Sequence, residues 1–266
     1  MLPKVFNIQL TSKCNLNCYF CIKTNAEYKK IDLDLETFKK YVDEILKAGI
    51  KIIDLCPTVG DILNIPNINE YFDYLDNSEV EYYFFFTSLT SEFSDDLFKR
   101  KKLKLYISLY GTNRELFEKT TNSKRYDILK KNLLKIKDLT NVCLLLRTKG
   151  EHDMFFKVFL RITKFYRILD DYEMHNINKK NNNINSDCLF KLTDNGVVPN
   201  GDIVLCNWVD STHKDIIGNI WNLKETYKDD LMKKSFDICK GCDYYEKITE
   251  QRKKEFFLVD FGLLNE

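Results

Sequence analysis

Cys14, Cys18 and Cys21 stand at C-x3-C-x2-C spacing near the start of the chain, while Cys188, Cys206, Cys239 and Cys242 lie in its last third. Cys56 and Cys143 stand alone between the two groups. Thiols clustered in this way in a reducing compartment bind metal or do chemistry and do not build a disulfide framework. A structural zinc site takes four protein ligands and closes, whereas three cysteines on a four-iron cluster leave one iron open to an exogenous ligand. The first group is therefore an incomplete and reactive set. The second has enough ligands to staple a small unit whose own core is thin.

The elements that must position these thiols follow from the hydrophobic pattern. Short β-rich runs over residues 5–10, 50–55, 80–87, 103–109, 141–148 and 171–175 alternate with helical patterns, which predicts βα units around a parallel sheet. Residues 34–48 put Leu35, Phe38, Val42, Ile45 and Leu46 on one helix face, and residues 126–139 do the same with Ile128, Leu129, Leu133 and Ile136. Six strands in alternation fit either a doubly wound sheet or an incomplete barrel. In both, ligands bind at the carboxyl ends of the strands, which is where the loop carrying Cys14, Cys18 and Cys21 begins. Residues 178–187, NKKNNNINSD, have a linker's composition and divide a first unit, 1–177, from a second, 188–266. Beyond the linker, FKLTDNG and GDIVLCNW predict two short strands, followed by a turn at Gly218-Asn219 and a helix from about 223 to 234.

Composition narrows the partners. The chain has 266 residues with 41 basic against 40 acidic side chains, a formal net charge of +1, so it carries no general field for nucleic acid or an anionic membrane. The longest apolar run, 80–89, falls short of the ~18 residues of a membrane helix, and the first ten residues contain no signal-peptide core. A cytoplasmic location is the expectation. His152, His175 and His213 form no metal-ligand spacing, and there is no Gly-rich phosphate loop or nucleophile elbow.

The stretch CNLNCYFC, with an aromatic residue directly before the third cysteine, resembles the radical S-adenosylmethionine (radical SAM) superfamily. The resemblance implies a [4Fe-4S] cluster on Cys14, Cys18 and Cys21 whose open iron is chelated by S-adenosylmethionine. Reduction then yields a 5′-deoxyadenosyl radical that abstracts hydrogen from substrate. It further implies a partial (β/α)6 barrel, an α/β fold, with the backbone at Phe20 touching the adenine. CPTVGDIL after the second strand stands where the superfamily has a Gly-Gly-Glu-Pro-like loop, matching at Gly60 and Asp61 and lacking the first glycine and the proline. TSL after the third strand makes Ser88 a candidate cofactor contact, and ISLYG on the fourth makes Ser108 another. Arg147, at the end of the fifth strand, can hold a carboxylate or orient a substrate oxygen with its fork of donors. Tyr110 stands where superfamily members often carry an acidic residue, and is a candidate for the substrate pocket. Cys143 reads as core, and Cys56 reads as buried near the pocket.

The second cysteine group resembles the SPASM or twitch extension of these enzymes: a cysteine, a gap, Gly201-x4-Cys206, a Gly-Asn-Ile turn at 218–220 and a final Cys239-x2-Cys242. A small C-terminal α+β domain holding a second, auxiliary [4Fe-4S] cluster is what that likeness implies, with zinc on the same four thiolates as the alternative. In length and layout the chain is similar to the aminocyclitol-dehydrogenating members of the superfamily. The expected activity is a radical SAM oxidoreductase that dehydrogenates a sugar-like or aminocyclitol alcohol, with the auxiliary cluster as electron acceptor and a flavodoxin or ferredoxin as donor. A peptide-modifying maturase that forms a thioether, a carbon–carbon crosslink or an epimer is the rival, and a non-catalytic iron–sulfur or zinc protein is the reading from another class.

Overall fold

The computed structural model describes residues 2–25, 27–148, 150–162, 166–168, 195–206, 210–228, 236 and 239. Strands β1 (Val5–Ile8), β2 (Ile52–Asp54), β3 (Tyr82–Thr87), β4 (Leu103–Leu109), β5 (Val142–Leu146) and β6 (Tyr166–Ile168) lie side by side in chain order, every neighbouring pair parallel. Helices α1 (Ile22–Asn25), α2 (Leu35–Ala48), α3 (Ile68–Asn77), α4 (Arg114–Thr121), α5 (Tyr126–Ile136) and α6 (Met154–Ile162) occupy the connections. This is the α/β partial barrel expected from the sequence. The run predicted as a strand over 171–175 lies outside the described residues, and β6 falls just before it.

Period-two alternation sorts the strands onto two faces. On β3, Tyr83 and Phe85 are fully buried in the large core beneath the helices, which also holds Phe38, Val42 and Ile45 of α2 and Leu129 and Leu133 of α5. Tyr82, Phe84 and Phe86 point the other way and pack with Tyr106, Cys143, Leu145 and Cys56 along the inner wall. Cys143 is buried there, and Cys56 is half-buried at the end of β2. Helix α2 starts where Asp34 accepts a hydrogen bond from the Thr37 amide at 2.9 Å, an N-cap that leaves the apolar stripe facing the sheet.

The sheet does not stop at β1. Strand β7 (Gly196–Val197) pairs with β1 in parallel, and β8 (Asp202–Val204) and β9 (Ile216–Asn219) continue it antiparallel, giving nine strands in the order β6-β5-β4-β3-β2-β1-β7-β8-β9. A Cβ on Gly196 would stand 2.7 Å from Asn7 Oδ1, so a larger residue there would displace the Asn7 side chain where β7 meets β1. Gly218-Asn219, read as a turn from the sequence, instead lies within β9, and the Asn219 side chain then accepts from the Trp221 amide to start a 3-10 turn over Ile220–Asn222. The short helix α7 (Leu223–Thr226) follows, and residues 229–234 of the predicted helix lie outside the described residues, as does the linker over 178–187. Tyr41 of α2 donates to the Pro199 carbonyl at 2.8 Å and meets Trp221 edge-on at 5.6 Å, tying the added strands to the barrel's first helix. Among the described residues no helix is long and apolar enough to cross a membrane.

Candidate functional site

The cysteine loop leaves the carboxyl end of β1 and is fastened along its length. Its first turn is pinned where Ser12 N donates to Ile31 O at 2.9 Å and Asp61 N to Lys13 O at 2.9 Å. Its far side docks on the end of α4, with Asn17 N bonded to Thr121 O and Tyr19 N to Thr120 O. Gly60 makes the closest approach: at φ +129° it lies so near the loop that a Cβ would stand 2.6 Å from Thr11 O. The superfamily-like glycine at this position is thus a steric requirement of the cysteine loop.

Asp61 is the hub of a buried network. Its Oδ1 accepts from Leu63 N at 3.1 Å, and its Oδ2 accepts from Thr87 Oγ1 at 2.7 Å and from both the amide and hydroxyl of Ser88 at 3.1 Å. Ser88 Oγ in turn shares a 2.9 Å bond with Thr90 Oγ1, which donates to Asn15 Oδ1 at 2.9 Å. Asn15, inside the cysteine motif, returns two donor bonds to Thr90 O and Ser91 Oγ. The circuit joins the loops after β1, β2 and β3 and employs the side chains of Asp61 and Ser88 inside the protein. Burial pushes the Asp61 carboxyl upward, and the donors around it pull back. Leu89, buried at φ +56°, is held in that conformation by Asn132, whose amide donates to the carbonyls of Leu89 and Ser91.

On the other side of the loop, β4 and β5 present a second group. Arg147 donates to Ser108 Oγ at 3.4 Å, and its guanidinium lies 5.8 Å from the centre of the Phe86 ring. Phe86 stacks on Tyr106 at 4.8 Å. Tyr110 packs against Phe20 of the cysteine loop at 5.1 Å. Burial raises the Tyr110 phenol, the Arg147 charge opposes that rise, and the Cys18 and Cys21 thiols lie close enough to act on it as well. Phe20, Ser108, Tyr110 and Arg147 therefore come together beside Cys18 and Cys21, while Gly60, Asp61 and Ser88 gather beside Cys14, on which Asp61 acts.

Burial is the first cause that raises all three thiols, Cys14 to about 11, and their mutual repulsion adds to it at Cys14 and Cys18. Opposing it, Leu16 N donates to Cys14 Sγ at 3.5 Å, and the amides of Lys23 and Thr24 bond the Cys21 sulfur. Three buried cysteines in one loop, with amide donors beside Cys14 and Cys21, fit a multi-iron core, whose positive charge would hold their sulfurs as thiolates and offset their repulsion. Among the described residues no three Cys, His, Asp or Glu side chains are spaced to hold a single metal ion. In the second group, Cys206 is buried just after β8, and Cys239 lies in a short turn bonded to Phe236 O. Cys188 and Cys242 lie outside the described residues.

Asn15, Lys23, Thr90 and Phe86 are the neighbours that reading the sequence left out. Asn15 and Lys23 were within reach because they sit inside or directly after the motif; Phe86 could have been placed by β3's alternation. Thr90 becomes visible only once the β3 loop is folded.

The comparisons bear on the fold. No family profile matches the chain. Over 74 residues it is 31% identical to the antilisterial bacteriocin subtilosin biosynthesis protein AlbA of Bacillus subtilis strain 168, a stretch that is 28% of this chain and 16% of AlbA. Among solved structures, anSMEcpe with bound AdoMet aligns at a TM-score of 0.63 with 14% identity, over 98% of this chain and 97% of that one. Streptococcus suis SuiB bound to S-adenosylmethionine aligns at 0.61 with 13% identity, over 87% of this chain and 65% of SuiB. The chain has the radical SAM fold. BtrN in complex with AdoMet and 2-DOIA shares it at a TM-score of 0.50 and 13% identity, over 87% of this chain and 85% of BtrN. The chain thus spans about two thirds of SuiB, and the match to AlbA a sixth of that protein.

Proposed function

We propose that this protein is a radical SAM enzyme. The observation that carries the proposal is the single loop at the carboxyl end of β1 that holds Cys14, Cys18 and Cys21, fastened within a partial barrel of the radical SAM fold. Bound there, a [4Fe-4S] cluster with S-adenosylmethionine supplies a carbon-centred radical able to remove hydrogen from an unactivated carbon, and a second cluster on Cys188, Cys206, Cys239 and Cys242 supplies a one-electron sink. The chain's own residues bind and orient. The Gly60 backbone borders the methionine end, Phe20 the adenine, and Asp61 and Ser88 hold that rim rigid through their mutual hydrogen bonds. Ser108, Tyr110 and Arg147 face the substrate side, where Arg147 presents its donors to a carboxylate or carbonyl oxygen. The finer reading is dehydrogenation of a sugar-like or aminocyclitol alcohol, with a flavodoxin or ferredoxin as external reductant.

A peptide substrate is favoured by one specific feature. The inner wall is aromatic, with Phe84, Phe86 and Tyr106 in contact below Arg147, and Phe20 and Tyr110 at its rim. Asp54, the wall's carboxylate on β2, accepts from the Cys56 amide at 2.8 Å. The aromatic stretch over β3 and β4 suits an apolar side chain. SuiB has been solved with its precursor peptide SuiA and anSMEcpe with the Kp18Cys peptide.

The test is formation of 5′-deoxyadenosine by the anaerobically reconstituted, reduced protein, beside a variant with Cys14, Cys18 and Cys21 all replaced by alanine. Formation by the wild type alone supports the proposal. Deuterium transfer into the nucleoside from labelled aminocyclitols or labelled peptides then separates the two substrate readings. No nucleoside from a protein carrying its full iron would leave a non-catalytic iron–sulfur or zinc protein.

A further inference from the structure

Lys23 follows the third cysteine by two residues, and its side chain turns back into the loop. Its Nζ donates to the carbonyl of Cys14 at 3.1 Å and to that of Leu16 at 3.2 Å, so the ammonium spans the segment between the first and second cysteines. The side chain is half-buried, where salt and water screen a charge less than at the surface.

We propose that Lys23 is a positioning residue that sets how readily the N-terminal site accepts an electron, by holding its ammonium on the carbonyls of Cys14 and Leu16. The inference rests on reading Cys14, Cys18 and Cys21 as cluster ligands. Reduction adds one electron, taken from a one-electron donor of the flavodoxin or ferredoxin class, with dithionite as its stand-in in the test. No proton moves, so the site gains one negative charge. A fixed cation beside the sulfurs stabilises the reduced state more than the oxidised one and raises the potential. Exposed lysines elsewhere, such as Lys13 paired with Asp32, have their charge offset by a carboxylate at 2.7 Å. Among the described residues Lys23 pairs with no carboxylate and donates to neutral carbonyls, so its charge remains available to the loop.

The experiment is an anaerobic potentiometric titration, followed by electron paramagnetic resonance without S-adenosylmethionine, of wild type, Lys23→Met, Lys23→Gln and Lys23→Arg. It is read on the signal that Cys18→Ala abolishes. Both neutral variants should keep wild-type iron and lose about tenfold in the reduction equilibrium, a shift of about 59 mV to more negative potential for a one-electron couple. Lys23→Arg, which keeps the charge, should stay near wild type. An unchanged midpoint at full iron content overturns the proposal. Loss of iron from both neutral variants also overturns it, leaving Lys23 as a structural clamp. A wild type without the signal would show the failure of the cluster reading itself before any variant is compared.

Discussion

The two cysteine regions are held by different means. The N-terminal loop is fixed from outside: Asp61, Thr90, Thr120 and Thr121, drawn from three other loops and helices, supply its hydrogen bonds, and Gly60 sets its closest contact. The turn over 210–215 is held largely from within. Asp210, fully buried, donates its amide to Cys206 O, and its carboxylate accepts from Lys214 N and Asp215 N at 3.0 Å, all within ten residues. Ser211 then ties this turn to the chain beyond the first cysteines, donating to Glu27 O at 2.8 Å and accepting from Lys29 N at 2.8 Å. The first site is thus set by contacts between distant loops, while the turn over 210–215 is set largely by local hydrogen bonds and joined to the first unit through Ser211.

That contrast is open to direct attack. The largest effect belongs to the ligands themselves: Cys18→Ala should remove the N-terminal iron and all 5′-deoxyadenosine formation while sparing iron bound by the second group, and Cys206→Ala should do the reverse to the iron. Iron analysis of both variants decides whether the two sites are independent. Next, Gly60→Ala forces a Cβ toward Thr11 O at a φ that side chains rarely adopt, which costs about 1–3 kcal/mol. Urea unfolding should show that loss together with poor iron retention at the first site alone. Asp61→Ala strands the Ser88 amide and the Thr87 and Ser88 hydroxyls in the interior, lowering stability by about 2–4 kcal/mol. Asp210→Ala should cost less in global stability, about 1–2 kcal/mol, because the amides it strands lie in one local turn. Equal losses in the two variants would break the comparison.

The smallest effect is a pH dependence. Burial holds His213, at φ +53° in the same C-terminal turn, below its ordinary value, so the folded state favours the neutral ring. Its contribution is present above the ordinary histidine value and is lost as pH falls through the lowered one. The melting temperature of wild type should therefore fall between pH 7 and pH 5 by more than that of His213→Asn, a variant whose side chain tolerates the left-handed conformation. Parallel slopes for the two proteins would remove His213 from the account.

Much of this molecule is dictated by local chemistry. The alternation of β3, the N-cap at Asp34, the C-x3-C-x2-C spacing and the Gly60-Asp61 pair are properties of a few residues each, and periodicity or motif suffices to read them. Five of the six barrel strands fall where the hydrophobic runs place them, since buried parallel strands read as largely apolar runs. Long-range pairing was decided elsewhere. The pairing of β7 with β1 brings Gly196 against Asn7, far away in the sequence, and pairing with β8 draws Gly218-Asn219 into a strand in spite of its turn composition. The division of the site is likewise tertiary: Asp61 and Ser88 read as two separate cofactor contacts, yet folding brings them to 3.1 Å and turns them into each other's partners. Spacing along a chain determines what a loop can ligate. Which polar groups remain to face a ligand depends on the hydrogen bonds made once distant loops meet, because a buried donor or acceptor takes whatever partner the fold supplies.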